Sequence, residues 1–199
     1  MMLIEETTLR DAALPVEEFK AHLRLGTSFG QESAQDEVLA GFLRAAMAAI
    51  EARTGKVLMS RPFAWTLNFW RDRDRQLLPV APISVLSRVV LTARDGTQEE
   101  VDPAAYWLER DGQRPFLRAA GSALPTIPPG GSALVGFEAG YGPGWTDLPP
   151  DLRQAMLLLA AHYYEYRDET SLSEGCMPFG VSSLIERYKL VRLGSGALR

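Results

Sequence analysis

The residue types that most often perform catalysis or bind metals are scarce in this chain and widely separated. It has two histidines, His22 and His162, and one cysteine, Cys176. No HExxH, CxxC or closely spaced His/Asp pattern occurs, so the spacing does not predict a metal site. Cys176 has no histidine beside it, and no serine lies in a GxSxG pattern, so nucleophilic catalysis is not predicted either. We therefore expect no catalytic, cofactor-binding or metal-binding residues and predict that the protein is not an enzyme.

A glycine-rich run, Gly140-Tyr-Gly-Pro-Gly144, precedes a predicted helix and invites comparison with a phosphate-binding loop. It matches neither GxGxxG nor GxxxxGKS/T, and Pro143 lacks one of the backbone N–H donors that such a loop needs. We interpret the run as the turn between a strand and a helix.

A short segment of alternating charge follows the aromatic residues Trp65, Phe69 and Trp70. It comprises Arg71, Asp72, Arg73, Asp74 and Arg75. One interpretation is a solvated loop, and the other is a contact between subunits through complementary charges. The alternating large side chains before the segment are typical of a β-sheet core, and the acidic total charge disfavours a platform for single-stranded nucleic acid.

The composition is that of a globular protein with a substantial core. Hydrophobic residues make up 46% of the 199 positions, enough to bury such a core, and the formal net charge is −4. This charge disfavours tight binding to phosphates but is compatible with a surface that DNA passes without sticking. A single cysteine gives no sign of an oxidising compartment, and neither a signal peptide nor an apolar run of membrane-spanning length is seen. We expect a soluble protein of the cytoplasm without a membrane partner.

Hydrophobic spacing and capping residues predict two helices in the first part of the chain. The first runs from Pro15 to Leu25, with Phe19 and Leu23 on one face. The second runs from Ser33 to Thr54 and opens with a pattern that resembles a capping box, Ser33 with Asp36. Its core side is expected to contain one row of Val38, Phe42, Ala46 and Ile50, and beside it Leu39, Leu43 and Met47.

Two further helices are predicted towards the C-terminal end. One opens at residues 146–151 and continues to Arg167. Its core face is expected to contain Leu152, Ala155, Met156, Leu159, Ala160, Tyr163 and Tyr164. The other is shorter and spans Pro178 to Lys189.

The residues from Val57 to Gly140 have the two-residue periodicity and the turn signals of β-strands. Strands are predicted at 63–70, 77–80, 85–93, 106–109, 115–118 and 133–140. Asp95-Gly96 and Asp111-Gly112 have the composition of hairpin turns. The overall prediction is an α+β fold, in which the helices of the two ends form one helical core and a β-rich section is inserted between them.

We divide the chain into four parts: residues 1–56 and 141–189 as the two helical parts of the core, 57–140 as the inserted β section, and 190–199 as an extended tail. The tail has two glycines and no helical periodicity, with Leu193 and Leu198 beside Arg192 and Arg199. It is either a frayed terminus or a peptide arm that becomes ordered against a partner.

Four segments of the chain resemble the head–tail connector (adaptor) proteins of long-tailed phages and occur in the same order as in that family. The resemblance is strongest to the adaptor of phage-like gene transfer agents. The segments are Leu14 to Arg24, Asp36 to Gly55, Leu78-Pro-Val-Ala-Pro-Ile-Ser-Val85, and Gly140-Tyr141 followed by Leu148-Pro-Pro-Asp-Leu152, with Gly180, Val181, Leu184 and Tyr188 beyond. Together they span nearly the whole chain, and their combination is more specific than any one of them. The family includes small members that are almost entirely helical, so the section 57–140 is the part whose role the resemblance explains least.

The resemblance implies a structural virion protein. Proteins of this family form a ring, generally of twelve copies, that joins the portal of a DNA-filled capsid to the neck and tail, and DNA passes through the ring. The implied partners are the portal protein, a neck or stopper protein and further copies of the same chain, with DNA only as cargo. The implied location is the head–tail junction of a virion or gene-transfer particle, and the host cytoplasm before assembly.

The resemblance also implies that the C-terminal arm docks on the portal, through the candidate residues Leu190, Val191, Arg192, Leu193, Leu198 and Arg199. Two other functions stay open: another neck or tail-completion protein, and a small ligand-binding domain built on the β section. The strong helices at 33–54 and 148–168 disfavour the first of these. The position of both histidines outside the β section disfavours the second.

Overall fold

The computed structural model describes residues 1–25, 32–167 and 177–189. Within these ranges the fold is α+β, as predicted, with four α-helices and two antiparallel sheets. The helices are α1 (Val16–His22), α2 (Glu32–Thr54), α3 (Pro150–Glu165) and α4 (Phe179–Ile185). The strands are β1 (Met2–Glu5), β2 (Arg61–Leu67), β3 (Arg75–Leu77), β4 (Ile83–Thr92), β5 (Gln98–Glu100), β6 (Tyr106–Glu109), β7 (Phe116–Ala119) and β8 (Ser132–Ala139). No helix in the described part of the chain is long and apolar enough to cross a membrane.

Prolines and a glycine set the boundaries of the helices. α1 begins after Pro15, and α3 carries Pro150 in its first turn, where the missing N–H has no helical partner to lose. α2 ends at Gly55, whose φ of +67° is the left-handed conformation of a helix C-cap. The Gly55 N–H donates to the carbonyl of Glu51 over 2.8 Å. The four predicted helices are therefore confirmed.

The start of α2 differs from the prediction. Ser33 is the second residue of the helix rather than the residue before it. The carboxylate of Asp36, the expected capping partner, pairs instead with Lys20 of α1, with 2.7 Å between Oδ1 and Nζ. The expected capping box at Ser33 is therefore wrong, because a charge on the neighbouring helix takes up the carboxylate.

The buried row of α2 also differs from the prediction. We expected Val38 and Phe42 in the core, but Val38 is 51% exposed, and Phe42 is half-buried and packs against the core cluster without being part of it. The Phe42 ring stands edge-on against Tyr164 of α3, with 5.8 Å between the ring centroids. The fully buried residues of α2 are Leu39, Leu43, Ala46 and Ile50. The two rows are adjacent on the helix, so periodicity selects the apolar side but not the row that the neighbouring helices meet.

Helices from both ends of the chain share one buried cluster. Phe19 of α1, Leu43 of α2, Met156 of α3 and Ile185 of α4 belong to it, and none of them is exposed. Burying an apolar side chain of this size stabilises the fold by about 1.5–3 kcal/mol relative to leaving it in water. The contact between N-terminal and C-terminal helices is therefore a major part of the stability of the molecule.

The strands form two sheets that enclose a second cluster. The strand order is β1-β2-β8-β4-β5 in the larger sheet and β3-β7-β6 in the smaller. Trp65 and Phe137 of the larger sheet and Leu117 of the smaller all lie in this cluster, so the inner faces of the two sheets pack on each other. Both predicted hairpins are present: β4 pairs with β5 across Asp95-Gly96, and β6 with β7 across Asp111-Gly112.

Strand β1 has no counterpart in the sequence prediction. It pairs antiparallel with β2, with Leu3 opposite Trp65, and forms one edge of the larger sheet. All four of its residues are exposed, so no alternation of apolar and polar residues marks the strand in the sequence. The larger sheet therefore includes residues from the N-terminal end of the chain as well as from the β section.

The chain enters and leaves the β section at neighbouring points. The N–H of Tyr141 donates to the carbonyl of Leu58 over 3.0 Å, and the N–H of Ser60 donates to the carbonyl of Gly142 over 2.8 Å. Gly140, just before Tyr141, has a φ of +137°, and a Cβ there would overlap with the backbone of Ser60. Glycine is therefore required for this close approach.

Arg61 connects the helices to the larger sheet. Its side chain is almost fully buried at the start of β2. It pairs with Glu51 of α2 at 2.7 Å and with Glu5 of β1 at 2.9 Å. A buried guanidinium needs such partners, and here they come from two different elements, so the ion pairs fix how the helix and the sheet edge sit together.

Candidate functional site

The two histidines lie on different helices of the described chain. His162 on α3 lies against Tyr166, with 4.7 Å between ring centroids, and His22 is half-buried at the end of α1. Cys176 lies outside the described residues. Across residues 1–25, 32–167 and 177–189, no three His, Cys, Asp or Glu side chains are grouped so that they could hold a metal ion.

The glycine-rich turn before α3 is closed by a carboxylate. The N–H of Gly144 donates to Oδ2 of Asp147 over 2.8 Å. A Cβ at Gly142 would overlap with the same Asp147 side chain, so glycine lets the chain pass close to it. The carboxylate takes the donor that a phosphate would need and brings the charge that would repel one. The predicted turn between a strand and a helix is confirmed.

The outer face of the larger sheet, opposite its core-lining face, is largely apolar. One row crosses all five strands and consists of Met2, Thr66, Leu134, Val90 and Glu100. The next row consists of Ile4, Ala64, Gly136 and Arg88. We call these two rows, with Glu138 and Val85 beside them, the broad outer face. None of its residues belongs to either buried cluster, and its exposed large apolar side chains are Met2, Ile4 and Val85, while Ala64 and Gly136 are buried.

An ion pair lies along the broad outer face. The guanidinium of Arg88 on β4 pairs with the carboxylate of Glu6, just after β1, at 2.6 Å. The row between them contains the small residues Gly136 and Ala64. A Cβ at Gly136 would stand 2.5 Å from Oγ of Ser87 and 3.0 Å from Cγ of Arg88. The absence of a side chain there lets the arginine lie along the sheet instead of projecting from it.

The outer face of the smaller sheet combines aromatic and charged side chains. Trp107 on β6 is 50% exposed and lies opposite Arg118 on β7, which in turn lies opposite Arg75 on β3. The guanidinium groups of Arg75 and Arg118 stand 5.4 Å and 5.7 Å from the centre of the Phe116 ring. Arg118 also pairs with Glu109. We call these five residues the narrow outer face.

The charged segment 71–75 borders the narrow outer face. Arg75 is the first residue of β3, and its Nε–H donates to Asp72 over 3.2 Å. Asp74 pairs with Arg118 at 3.3 Å, and its carbonyl accepts the N–H of Ala119 over 2.9 Å. All five residues are exposed and 71–74 form a loop, as one interpretation of the sequence expects, while Arg75 is already part of β3 and Asp74 binds the sheet. The contact of the segment with another subunit stays a prediction.

A network around Tyr188 fixes the end of the described chain. The Tyr188 hydroxyl donates to Oδ1 of Asp151 over 2.6 Å and accepts from Nη2 of Arg187 over 2.7 Å. Arg187 also pairs with the second oxygen of Asp151 at 2.9 Å. Burial, together with the Asp151 carboxylate, raises the pKa of Tyr188, and burial raises the pKa of the neighbouring Tyr141 to about 12. Both hydroxyls therefore stay protonated at neutral pH.

The predicted portal-docking residues, 190–199, lie outside the described residues. The network around Tyr188 fixes the point from which they leave, beside the β6–β7 hairpin, where the side chain of Gln113 donates to the carbonyl of Arg187 over 3.4 Å. Sequence reasoning singled out Tyr188 but missed its partner Asp151. The two are 37 positions apart, so no local spacing indicates the pair.

A buried lysine lies beneath the edge strand β1. Lys56 is 1% exposed, and its Nζ has no hydrogen-bond partner within the described residues. It lines a groove of about 450 Å³ between β1 and α2, together with Leu3, Met47 and Val80. Burial lowers the pKa of Lys56, and the charge of Asp111 acts in the opposite direction. Sequence reasoning missed it, because a lysine after a Thr-Gly helix end resembles an ordinary solvated residue.

No protein-family model matches the chain, and no curated protein sequence matches it. Three similar solved structures come from gene transfer agent (GTA) particles. A chain in the neck of an empty GTA particle, computed with six-fold symmetry, is 47% identical, with a TM-score of 0.89. A chain in the virion of the native particle is 46% identical, with a TM-score of 0.86. A chain in the neck of the native particle, computed with twelve-fold symmetry, is 44% identical, with a TM-score of 0.84. Each similarity covers 98% of this chain and 99% of the other.

Proposed function

The chain belongs to the family of neck proteins of gene transfer agent particles, and we propose that it is the head–tail adaptor of such a particle. In this proposal twelve copies form a ring between the portal of a DNA-filled capsid and the rest of the neck and tail. Its partners are the portal protein, a neck or stopper protein and other copies of itself. It resides at the head–tail junction of the particle, and in the host cytoplasm before assembly.

One observation carries this proposal: the similarity of 44–47% to neck structures extends over the whole chain rather than over one part. The helices and both sheets are therefore included in the match. The cyclic symmetry of the two neck structures supports a ring, since closed cyclic assemblies are what identical copies form when each uses two different surfaces.

We further propose that different parts of the chain have different roles. The helices of 1–56 and 141–189 form the core of the adaptor, 57–140 is an inserted β section, and 190–199 is an arm that docks on the portal. The buried cluster shared by α1, α2, α3 and α4 supports the first point. The network around Tyr188 supports the docking role of the arm, because an arm that leaves from a fixed position loses less conformational freedom when it binds.

The proposal assigns no catalysis to the protein and treats DNA as cargo. The formal net charge of −4 suits this role, because an acidic wall does not hold the phosphate backbone as it moves past. A protein that retained DNA would instead need a basic face with several phosphate contacts.

The test is quantitative mass spectrometry on nuclease-treated, gradient-purified particles from the cell that encodes this chain. We expect the protein at about the copy number of the portal protein. Particles from a strain that lacks the gene provide the control and should have DNA-filled heads without tails. Complete, DNA-transferring particles that contain none of the protein would contradict the proposal.

A further inference from the structure

We propose that neighbouring copies in the ring contact each other through the two outer faces of the β-sheets, with the broad outer face of one copy against the narrow outer face of the next. The inference rests on the proposed function, because it requires a ring. It gives the section 57–140 a role in assembly that the helices do not supply.

The position of the two faces suits a head-to-tail contact. The inner faces of the two sheets pack on one cluster, so the outer faces point in opposite directions. Each copy therefore presents two different surfaces on opposite sides, which is the requirement for a heterologous interface that closes into a ring. A two-fold contact would use one surface twice and would end at a dimer.

The broad outer face has the composition of a protein interface. Its exposed apolar side chains are Met2, Ile4 and Val85, and Leu134 and Val90 lie between them. Arg88 lies along the sheet over Gly136, so its charge is already paired with Glu6 and does not project toward a partner. An apolar surface of this kind on a soluble protein usually marks a contact with another protein.

The narrow outer face contains an exposed tryptophan that can anchor the contact with the broad outer face. Trp107 is half exposed on a strand whose other residues are more buried, and exposed tryptophan is among the residue types that contribute most to interface affinity. The arginines beside it stack on the Phe116 ring, which holds their planar groups in place.

The charges of the two faces are complementary. On the broad outer face the carboxylate of Glu138 is exposed and has no ion-pair partner within the described residues. On the other side Arg71 and Arg73, which border the narrow outer face, likewise form no ion pair with described residues. An arginine of the segment 71–75 in one copy can therefore pair with Glu138 of the next. This is the subunit contact that the alternating charges of that segment predict.

Cross-linking in assembled particles tests the contact. Leu134→Cys and Trp107→Cys place one thiol on each face, and Cys176→Ser removes the native thiol. With a short bismaleimide we expect the double-cysteine variant to give a ladder of linked copies up to the full ring, and each single-cysteine variant to give none. A second double variant, Leu134→Cys with Glu37→Cys on α2, is the matched control and should give no ladder. Dimers from Leu134→Cys alone would show that the broad outer face meets itself and would overturn the proposal.

A charge reversal provides an independent test that introduces no thiol. Glu138→Arg should lower incorporation into particles by about tenfold or more, because it places like charges across the interface. Glu99→Arg is the matched control: Glu99 is an exposed carboxylate on the same sheet, but it lies opposite Leu91 of the core-facing side. Equal incorporation of the two variants, with equal melting temperatures, would contradict the proposed contact.

The outcomes separate this inference from the adaptor role. Particles that contain the unmodified protein, but in which the double-cysteine variant gives no ladder and Glu138→Arg assembles normally, would remove the proposed interface and leave the adaptor role in place. Complete particles without the protein would remove both.

Discussion

Two lysines of this chain are in opposite environments. Lys20 pairs with Glu17 at 2.8 Å and with Asp36 at 2.7 Å, and these carboxylates raise its pKa. Lys56 is buried beneath β1 without a hydrogen-bond partner in the described part of the chain, and burial lowers its pKa. A buried ammonium group without partners opposes folding, whereas a surface ion pair contributes little in either direction.

We predict that Lys56→Met stabilises the protein by about 1–2 kcal/mol at pH 7, because it removes an unpaired charge and keeps a side chain of similar shape. The pKa of Lys56 is lowered in the folded state, so between that pKa and the unfolded value of about 10.4 the unfolded chain binds more protons. The stability of the wild type should therefore rise with pH in this window relative to the variant. Chemical denaturation from pH 7 to 10 measures both effects.

Lys20→Met is the control for this prediction. Because Lys20 has its partners at the surface, the substitution should change the free energy of unfolding only slightly and in the destabilising direction. A loss of stability in Lys56→Met would mean that the ammonium group is well solvated or paired.

The helix α2 shows which parts of an element the sequence determines. Its length, its end at Gly55 and its apolar side follow from local spacing and from the conformational freedom of glycine. The choice between the row of Phe42 and the row of Leu43 depends on where α3 lies, and no local signal contains that information.

The distinction between features set by local sequence and features set by contacts with distant residues also applies to the rest of the fold and to the candidate surfaces. The hairpins at Asp95-Gly96 and Asp111-Gly112 were predictable because turn residues fix them locally. Strand β1 was not, because it exists only through pairing with β2 and buries none of its own residues. The outer faces were not predictable for the same reason: their rows combine one residue from each of several distant strands.

A pair of substitutions tests the assignment of the buried row. Leu43→Ala should destabilise the protein by about 2–5 kcal/mol, because it opens a cavity in a cluster without exposed surface. Phe42→Ala should cost less, about 1–2 kcal/mol, because that ring is only half-buried where it packs against the helical cluster and Tyr164. Thermal or urea unfolding compares the two. A larger loss of stability for Phe42→Ala than for Leu43→Ala would mean that the row predicted from the sequence pattern is the buried one.

As a whole, the molecule combines a helical cluster, a pair of packed sheets and a fixed exit for its last residues. In the adaptor role that we propose, the helical cluster stabilises the subunit, the sheets contact its neighbours in the ring, and the exit leads to the portal. The ion pairs of Arg61 join the helical and β parts.

Removing residues 190–199 should leave the melting temperature unchanged and abolish binding to the portal protein. The reason is that the described core and the Tyr188 network end before this segment. Isothermal titration calorimetry with purified portal measures the binding. A variant whose last ten residues are replaced by glycine and serine controls for length and should fail to bind as well. Portal affinity equal to that of the full chain would contradict the role of the arm.

The hydrogen bond from Tyr141 to Leu58 also has an evolutionary consequence. Because the chain leaves the helices and returns to them at touching residues, we expect that changes of length within the intervening stretch leave the path and the order of the helices unchanged. Glycine is needed at position 140, because any side chain there would overlap with Ser60 and force the two chain segments apart. The β section can thus diversify with the needs of a particular particle, while mutation at the crossing itself is restricted to a single residue type.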